Sequence, residues 1–262
     1  MEKTHASKLC ALILTYNEEK NIERVLTELQ WLERVIILDS YSTDATVSLI
    51  QKFANTEIHY RKFDTHARQW NFGLSLVESK WVLTLDADYV LTQPFIQEAR
   101  RYICQEAIVA YYTKFKFVVF EKPLLRDNTT PRPVLFQKDH CEYYDDGHTQ
   151  RLAINGKVGS FKAVILHDDR KPLTRWLTNL DTYSIKECKK MLEPTRGPGP
   201  SLIEKIRRTK IFAPFLVFLY CLVVNGSIFN GWRGWHYTLQ RTLVEILFAL
   251  RLIEEEKLKG KD

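Results

Sequence analysis

The sequence predicts an α/β protein in which a mainly parallel sheet carries helices on both faces and is followed by a C-terminal helical appendage. Three observations predict this arrangement. Short β-branched or aliphatic runs alternate with helix-period segments through the first hundred residues, the usual pattern of parallel sheets. Several of these runs end in polar clusters, and the composition changes at a Pro- and Gly-rich stretch at residues 196–200.

The elements of the predicted sheet follow one another in a regular order. Strands are predicted at residues 9–15, 34–39, 57–60 and 81–85, and a strand-like stretch covers residues 108–120. Helices are predicted at residues 18–30, 43–53, 66–77 and 93–104. Asn17 and Ser42 are residue types that cap helix N-termini, so we expect them to begin the first two helices.

The Pro- and Gly-rich stretch predicts a linker, which divides the chain into residues 1–195 and a helical region at residues 196–262. Within this region, residues 211–224 are apolar apart from Pro214, a run shorter than the ~20 residues that span a membrane. Trp232, Arg233 and Trp235 follow, a mixture that suits a lipid headgroup layer. We therefore expect a membrane-interfacial appendage. Packing on the main domain or on a partner subunit is the alternative.

The bulk composition excludes several classes of protein. The chain has 262 residues, of which 45% are hydrophobic, and its net charge of +6 comes from interspersed acidic and basic residues. Because the basic residues cluster with aromatic ones only near residues 232–235, no nucleic-acid partner is expected. Five dispersed cysteines predict free thiols in a reducing compartment, and the short N-terminal apolar run does not resemble a leader peptide. We expect a cytoplasmic protein.

Two carboxylates, Asp86 and Asp88, directly follow the predicted strand at residues 81–85. Ligands of open α/β sheets bind at the carboxyl ends of the strands, where these two side chains would lie. Neighbouring carboxylates in a partly buried place repel each other unless a cation or strong donors compensate for their charge. Carboxylate oxygens suit Mg²⁺ or Mn²⁺, which share them with substrate phosphates. Since the chain lacks the two common Gly-rich phosphate loops, we expect a divalent cation to hold a diphosphate here.

The polar clusters at the strand ends resemble those of family 2 inverting glycosyltransferases. They are Thr15-Tyr16-Asn17-Glu18-Glu19, Asp39 with Ser42-Thr43-Asp44, and Leu85-Asp86-Ala87-Asp88. Within the family, the chain looks most similar to the branch of lipopolysaccharide-core β-glucosyltransferases, through residues 146–150 and 167–176. The resemblance implies a GT-A fold, whose sheet is Rossmann-like, and a nucleotide-sugar donor.

The resemblance also implies which residues bind the donor. Six residues would form the nucleotide-sugar site: Thr15, Tyr16, Glu18, Asp39, Asn71 and Asp86. Among these, Asp39 would contact the base, and Asp86 would face the ribose or the sugar.

Further roles concern the metal and the phosphates. The resemblance assigns Asp88 to the metal, and His167 to the metal or the diphosphate, although a lone histidine is often structural. Arg170, Lys171 and Arg175 either neutralise phosphate groups or form a solvated helix face.

The chain departs from the family pattern in two places. Ser40 and Tyr41 stand where the family commonly has Asp and Gly. This difference affects which nucleotide base the donor site would prefer. His148 is followed by Thr149, where relatives often carry a His-Glu pair whose carboxylate receives the acceptor proton.

Inverting transfer requires a base, and the usual acidic residue is missing. Asp146 and Asp145 are the nearest substitutes, with Asp146 favoured because it directly precedes Gly147, and His148 would support the base. A tight hairpin turn at residues 145–147 is the structural alternative.

The predicted activity is metal-dependent inverting transfer of a hexose, glucose from UDP-glucose, onto a lipid-linked glycan such as a lipopolysaccharide core. The resemblance places such an enzyme on the cytoplasmic face of the inner membrane. Two other functions are compatible with these residues: a sugar-nucleotide nucleotidylyltransferase, and a non-catalytic nucleotide-binding scaffold at the membrane. A nucleotidylyltransferase should carry a Gly-rich loop after the first strand, where this chain has residues 16–19.

Overall fold

The structure, a computed structural model, describes residues 8–126, 129–146, 149–192 and 202–259. The chain divides into two compact units. The sheet unit comprises Met1–Pro123 and Thr129–Lys171, and the helical unit comprises Leu124–Asn128 and Pro172–Asp262. Residues 193–201, around the boundary that we predicted at residue 196, lie outside the described part, so that boundary stays a prediction.

The sheet unit contains the predicted strands and helices of the first half of the chain. Its strands are β1 (Leu9–Thr15), β2 (Val35–Asp39), β3 (Thr56–Tyr60), β4 (Trp81–Asp86), β5 (Tyr89–Val90), β6 (Ala110–Val119), β7 (Lys122–Pro123), β8 (Arg132–Gln137), β9 (Cys141–Asp146), β10 (Thr149–Ile154) and β11 (Val158–His167). Its α-helices are α1 (Ile22–Thr27), α2 (Thr46–Ile50), α3 (His66–Ser75) and α4 (Gln93–Tyr102). The helices are shorter than predicted, and the segments before α1 and α2 are held in loop contacts instead.

Among the described residues, nine strands form one sheet in the order β3-β2-β1-β4-β8-β6-β11-β5, with β7 beside β6. The first four strands in this order, β3, β2, β1 and β4, pair in parallel with their neighbours. Their register sets Asp39 of β2 beside both Thr15 of β1 and Tyr60 of β3, and Asp86 of β4 beside Leu14. The carboxyl ends of these strands therefore meet at one edge of the sheet, as the alternating pattern predicted.

Apolar side chains cover both faces of this parallel part. Residues of α1 and α4, such as Val25 and Phe95, belong to the cluster on one face. Trp70 and Leu74 of α3 belong to the cluster on the other face. β1, β2 and β4 are buried on both sides, so they form nearly continuous apolar runs in the sequence, whereas the edge strand β3 is only partly buried. The prediction of helices on both faces is confirmed.

The second half of the sheet brings residues distant in sequence to the same edge. β8 pairs antiparallel with both β4 and β6, and β6 pairs in parallel with β11. The two-residue strand β5 pairs antiparallel with the end of β11, which sets Tyr89 opposite His167. Because β5 follows Asp88 directly, this short pairing delivers the end of β11 to the Asp86 and Asp88 segment.

The capping prediction for Asn17 and Ser42 is wrong. Asn21 and Ala45 precede the first turns of α1 and α2, and neither cap makes a side-chain hydrogen bond. Instead, the backbone N–H of Asn17 donates to Ser42 Oγ, and the backbone N–H of Thr43 donates to Asn17 Oδ1. The two polar loops thus hold each other together, a long-range pairing that local propensity does not reveal.

The helical unit confirms the predicted helical character of the C-terminal region. Its elements are α5 (Leu173–Leu192), α6 (Leu202–Arg208), α7 (Phe212–Leu219), a π-helical turn (Tyr220–Val224), a 3₁₀ turn (Ser227–Asn230) and α8 (Trp232–Lys259). Arg207 forms ion pairs with Glu245 of α8 and Glu187 of α5, all three side chains being largely buried. Within the described ranges, no helix is both long enough and apolar enough to span a bilayer.

Candidate active site

The first part of the site lies where β1 and β2 end. Asp39 is fully buried, and its Oδ2 atom accepts hydrogen bonds from Thr15 Oγ1 at 2.9 Å and Ser42 Oγ at 2.6 Å. Its Oδ1 atom accepts from the backbone N–H of Ser42 at 2.8 Å. In this structure Asp39 therefore organises the loops around the predicted nucleotide pocket. Its direct contact with a base stays a prediction.

Three tyrosines stand at the ends of adjacent strands, and Tyr41 departs from the family pattern. Tyr41 has a φ of 64°, in the left-handed region that favours glycine, the residue that the family resemblance predicts at this position. Its ring stacks on that of Tyr60 with centroids 5.8 Å apart. Tyr16, Tyr41 and Tyr60 are all exposed, so this edge of the sheet offers aromatic rings to a planar ligand.

The second part of the site is a buried ionic cluster next to β1. Lys171 Nζ lies 2.8 Å from Glu18 Oε1, and Asn21 Nδ2 donates to Glu18 Oε2 at 2.9 Å. Burial, the largest effect, raises the pKa of Glu18 in spite of the nearby Lys171. For Lys171, burial lowers the pKa, but the carboxylates of Asp88, Glu18 and Asp169 outweigh burial and raise it. Lys171 is therefore a permanently charged cation beside the predicted diphosphate site.

The third part is the contact between Asp88 and His167. Asp88 is 9% exposed, and its Oδ2 atom lies 3.3 Å from Nε2 of His167. Burial alone would raise the pKa of Asp88, but the attraction and hydrogen bond of His167 lower it to about 2. Burial would lower the pKa of His167, and Asp88 raises it instead. The two groups thus form a buried carboxylate–imidazole pair.

The residues around Asp88 fit a divalent cation. Among the described residues, no donor reaches the buried Oδ1 atom of Asp88, an expensive arrangement unless a ligand supplies the missing partner. No group of three or more His, Cys, Asp or Glu side chains in the described ranges is arranged around a common point. One carboxylate, with an imidazole beside it, is the sparse protein contribution that Mg²⁺ or Mn²⁺ accepts when substrate phosphates supply further ligands.

Arg170 forms an ion pair with Asp168 in this structure. Asp168 is buried, and its Oδ2 atom pairs with Arg170 Nη2 at 2.9 Å and Arg24 Nη2 at 3.3 Å. Arg170 also pairs with Glu121, at 3.0 Å. The backbone N–H of Arg170 donates to Asn21 Oδ1, which ties the segment after β11 to the start of α1. The predicted role of Arg170 towards phosphate stays a prediction.

Asn71 lies away from this cluster, against strand β9. Its Nδ2 atom donates to the carbonyl of Tyr143 at 2.8 Å, and its Oδ1 atom accepts from the backbone N–H of Tyr143 at 2.9 Å. Both polar ends of the side chain are used to hold β9 against α3. The structure does not bring Asn71 together with the donor residues, and a donor contact stays a prediction.

Asp86 stands at the border of a cavity of about 590 Å³. The cavity is lined by residues of β4, β6 and β8 and of the hairpin formed by β9 and β10. Tyr89, which also lines it, is buried, and burial together with the nearby carboxylate of Asp86 raises its pKa well above the ordinary value. The cavity therefore carries a neutral phenol next to Asp86.

The two candidate bases lie on opposite sides of β9. Asp146 lines the same cavity as Asp86, and its Oδ2 atom lies 2.6 Å from Arg151 Nε. Asp145 is exposed, and its Oδ1 atom accepts from the backbone N–H of Ala67 in the first turn of α3. β9 and β10 pair antiparallel with Asp146 opposite Thr149, and residues 147–148 between them lie outside the described part of the chain, so the turn predicted at residues 145–147 stays a prediction. His148 lies outside the described residues.

Sequence reasoning missed the supporting cluster of Asn21, Arg24, Asp168 and Asp169. Asn21 Nδ2 donates to both Glu18 and Asp169, so it connects the start of α1 to the segment after β11. No spacing rule relates residues so far apart in the chain. The usable signal was the charged run at residues 168–171, which follows the end of an apolar stretch.

The comparisons with known proteins agree with this geometry. The sequence profile described as "Glycosyl transferase family 2" matches residues 10–169. The lipopolysaccharide core biosynthesis glycosyltransferase LpsC of Rhizobium meliloti is 22% identical over 97% of this chain and 94% of its own length. An uncharacterized glycosyltransferase of Rickettsia conorii is 29% identical over 50% of this chain, and the match spans 46% of that relative.

A solved structure shows the same fold. The mannosyltransferase PcManGT from Pyrobaculum calidifontis, solved in complex with GDP-Man and Mn²⁺, superposes with a TM-score of 0.53 and 14% identity. The superposition covers 94% of this chain and 87% of the mannosyltransferase. The GT-A expectation for the fold is thereby confirmed.

Proposed function

Because the chain belongs to glycosyl transferase family 2, we propose that it transfers a hexose with inversion from a nucleotide-sugar to a lipid-linked glycan. The proposed donor is UDP-glucose and the proposed acceptor is a lipopolysaccharide core. Two facts support this choice: the branch resemblance in the sequence, and the name of LpsC, which matches nearly the whole chain. The mannosyltransferase with the same fold was solved with ligands of the same chemical classes, a nucleotide-sugar and a divalent cation.

The observation that carries the proposal is the unpartnered Oδ1 atom of Asp88 beside the Glu18 and Lys171 pair. A carboxylate oxygen without a donor attracts a cation, and a lysine nearby attracts an anion. A nucleotide diphosphate with its divalent cation would supply the cation for Asp88 and the anion for Lys171. Asp88 and His167 would hold the cation, and Lys171 would approach a phosphate oxygen by leaving Glu18.

The proposed reaction is a single displacement. The acceptor hydroxyl oxygen forms a bond to the anomeric carbon while the bond from that carbon to the diphosphate oxygen breaks. When bound, Mg²⁺ or Mn²⁺ supplies positive charge to the departing diphosphate. Once it has left Glu18, Lys171 would add a second positive charge at the same place, and Asp86 would hold the sugar hydroxyls at the opening of the cavity. Positive charge held where negative charge develops stabilises the transition state.

Asp146 is the proposed base. It shares the cavity with Asp86, so an acceptor inside the cavity would have a carboxylate close to its hydroxyl. Arg151 would orient the Asp146 carboxylate and keep it ionised before it receives the proton. His148 stays a proposed supporting residue. Asp145 is the weaker candidate, because its carboxylate accepts from the first turn of α3.

A membrane location is proposed for the helical unit. Exposed apolar side chains occur along α7, the π-helical turn, the 3₁₀ turn and α8: Phe212, Phe215, Leu219, Val223, Phe229, Trp232, Leu239 and Leu250. Arg233 lies over the ring of Trp232 at 4.6 Å, a pairing that suits a headgroup layer. From residue 201 onward, ten basic residues outnumber six acidic ones, which favours anionic lipid. The cytoplasmic face of the inner membrane is the proposed site.

One assay separates this function from the two alternatives. The full chain is incubated with a panel of nucleotide-sugars and Mn²⁺ or Mg²⁺, and release of nucleotide diphosphate is measured with and without chelator. We expect metal-dependent release from one UDP-sugar. Formation of a nucleotide-sugar from a nucleoside triphosphate and a sugar phosphate would instead identify a nucleotidylyltransferase. Absence of both reactions would support a scaffold.

A further inference from the structure

The cavity beside Asp86 begins where the predicted donor site ends. Of the residues predicted to bind the donor or the metal, Asp86 alone lines it within the described part of the chain. Thr15, Glu18, Asp39 and Asp88 lie outside its lining. A molecule in the cavity would therefore meet the donor at the ribose or the sugar that Asp86 faces, away from the residues predicted to bind the base and the metal. The cavity has a volume of about 590 Å³, which is in the range of pockets that enclose small organic ligands.

The lining of this cavity combines aromatic rings with charged and neutral polar groups. Trp70 stacks on Tyr143 with ring centroids 5.5 Å apart, and Tyr89 packs on Phe115 at 4.6 Å. Tyr144 is half exposed. The apolar faces of sugar rings pack on such surfaces while their hydroxyls reach polar groups at the edges.

Trp70 also provides an unused donor. Its side chain is 3% exposed, and no acceptor among the described residues reaches its Nε1 atom. A buried N–H without an acceptor is costly, and a hydroxyl oxygen of a ligand in the cavity would satisfy it. The unsatisfied Nε1 atom belongs to a residue that lines the cavity, which is compatible with a polar ligand there.

The two arginines that line the cavity have different kinds of partner. Arg151 is paired with Asp146, whereas the contact of Arg132 within the described residues is with the neutral hydroxyl of Tyr89, at 3.5 Å. The carboxylate of Asp86 and the guanidinium of Arg132 both act on the Tyr89 hydroxyl. Arg132 is therefore the positive charge that the cavity has available for a ligand.

We propose that this cavity is the acceptor subsite and that it selects a glycan bearing an anionic group, a carboxylate or a phosphate, which binds Arg132. The aromatic lining would hold the sugar ring, and Asp146 would meet the reacting hydroxyl. A guanidinium forms two parallel charge-assisted hydrogen bonds with either anion, and a neutral hydroxymethyl group cannot replace them. The inference rests on the proposed glycosyl transfer and names the chemical class of its acceptor.

The test uses three probes with one sugar ring: methyl glucuronide, methyl glucoside 6-phosphate and methyl glucoside. Binding to the full chain is measured without donor, from the change in tryptophan fluorescence. We expect at least one anionic probe to bind roughly 10- to 100-fold more tightly than the neutral one. Comparison of the carboxylate with the phosphate identifies the preferred anion. Equal binding of all three probes would overturn the proposal.

Two substitutions assign the preference to Arg132. Arg132→Gln should reduce the ratio of anionic to neutral binding to roughly one, and Arg132→Lys should retain part of it. The control Arg68→Gln removes the same charge from an exposed position on α3 and should leave the ratio unchanged. A preserved ratio in Arg132→Gln would reject Arg132 as the anion-binding group. If the probes bind as expected but no nucleotide-sugar is consumed, the proposed function fails and the anionic subsite stands.

Discussion

The Nε2 atom of His167 lies 3.3 Å from the Oδ2 atom of Asp88 and joins the end of β11 to the segment after β4. The pairing of β5 with β11 produces this contact, because it sets Tyr89 opposite His167. Only one oxygen of Asp88 is used in this way, and the other is buried without a donor among the described residues. The contact therefore orients the carboxylate through one oxygen and leaves the other oxygen without a partner in the described part of the chain.

The first prediction concerns the metal. Asp88→Asn removes the negative charge that we expect to hold the cation, so turnover of the UDP-sugar should fall roughly 10²- to 10³-fold. Mn²⁺ binding in the presence of UDP, followed by electron paramagnetic resonance, should weaken in parallel. Glu78→Gln, a change at an exposed carboxylate, serves as the control. Full activity of Asp88→Asn in chelator-treated buffer would refute the metal assignment.

The second prediction separates the two candidate bases. Asp146→Asn should lower kcat roughly 10²- to 10⁴-fold with little change in donor affinity, because a general base acts in the chemical step. Asp145→Asn should lower kcat less than roughly threefold, because Asp145 contacts the first turn of α3. Both values are measured at saturating donor and acceptor. A larger loss of kcat in Asp145→Asn than in Asp146→Asn would identify Asp145 as the base.

The third prediction concerns the left-handed backbone at Tyr41. Tyr41→Gly and Tyr41→Ala both remove the stack on Tyr60, but only glycine adopts a φ of 64° without strain. The free energy of unfolding of Tyr41→Gly should therefore exceed that of Tyr41→Ala by about 1 kcal/mol. Urea denaturation of both variants provides the measurement. Equal stabilities would show that the backbone at this position relaxes.

The fourth prediction concerns lipid binding. Phe215→Ser combined with Phe229→Ser removes two exposed rings from the helical unit, where Phe229 is 78% exposed. Partitioning onto vesicles that contain phosphatidylglycerol should fall at least roughly tenfold in a sedimentation assay. Val158→Ser, at an exposed position of the sheet unit, is the matched control. Because we expect anionic lipid to contribute, partitioning of the unchanged chain onto purely zwitterionic vesicles should be weaker. Partitioning of the double variant equal to that of the unchanged chain would contradict the proposed membrane contact.

The sequence by itself determined the parallel part of the sheet and the identity of its strand-end clusters. Buried parallel strands are continuous apolar runs, and the polar residues that follow them stand out against that background. The positions of β1 to β4 and the placement of Asp39 and Asp86 at their ends follow from this pattern alone. The resemblance to the family could also be recognised in these clusters, because the family motifs lie directly after the strands.

Only the tertiary structure decided which of the distant residues meet. Local periodicity contains no information about the antiparallel insertion of β8, or about the two-residue pairing of β5 with β11 that brings His167 to Asp88. The same holds for the loop contact between Asn17 and Ser42, where propensity predicted two helix caps. Strand alternation then separated Asp146, inside the cavity, from Asp145, at α3. Such pairings depend on free energies summed over long-range contacts, and the spacing of residues along the chain does not encode them.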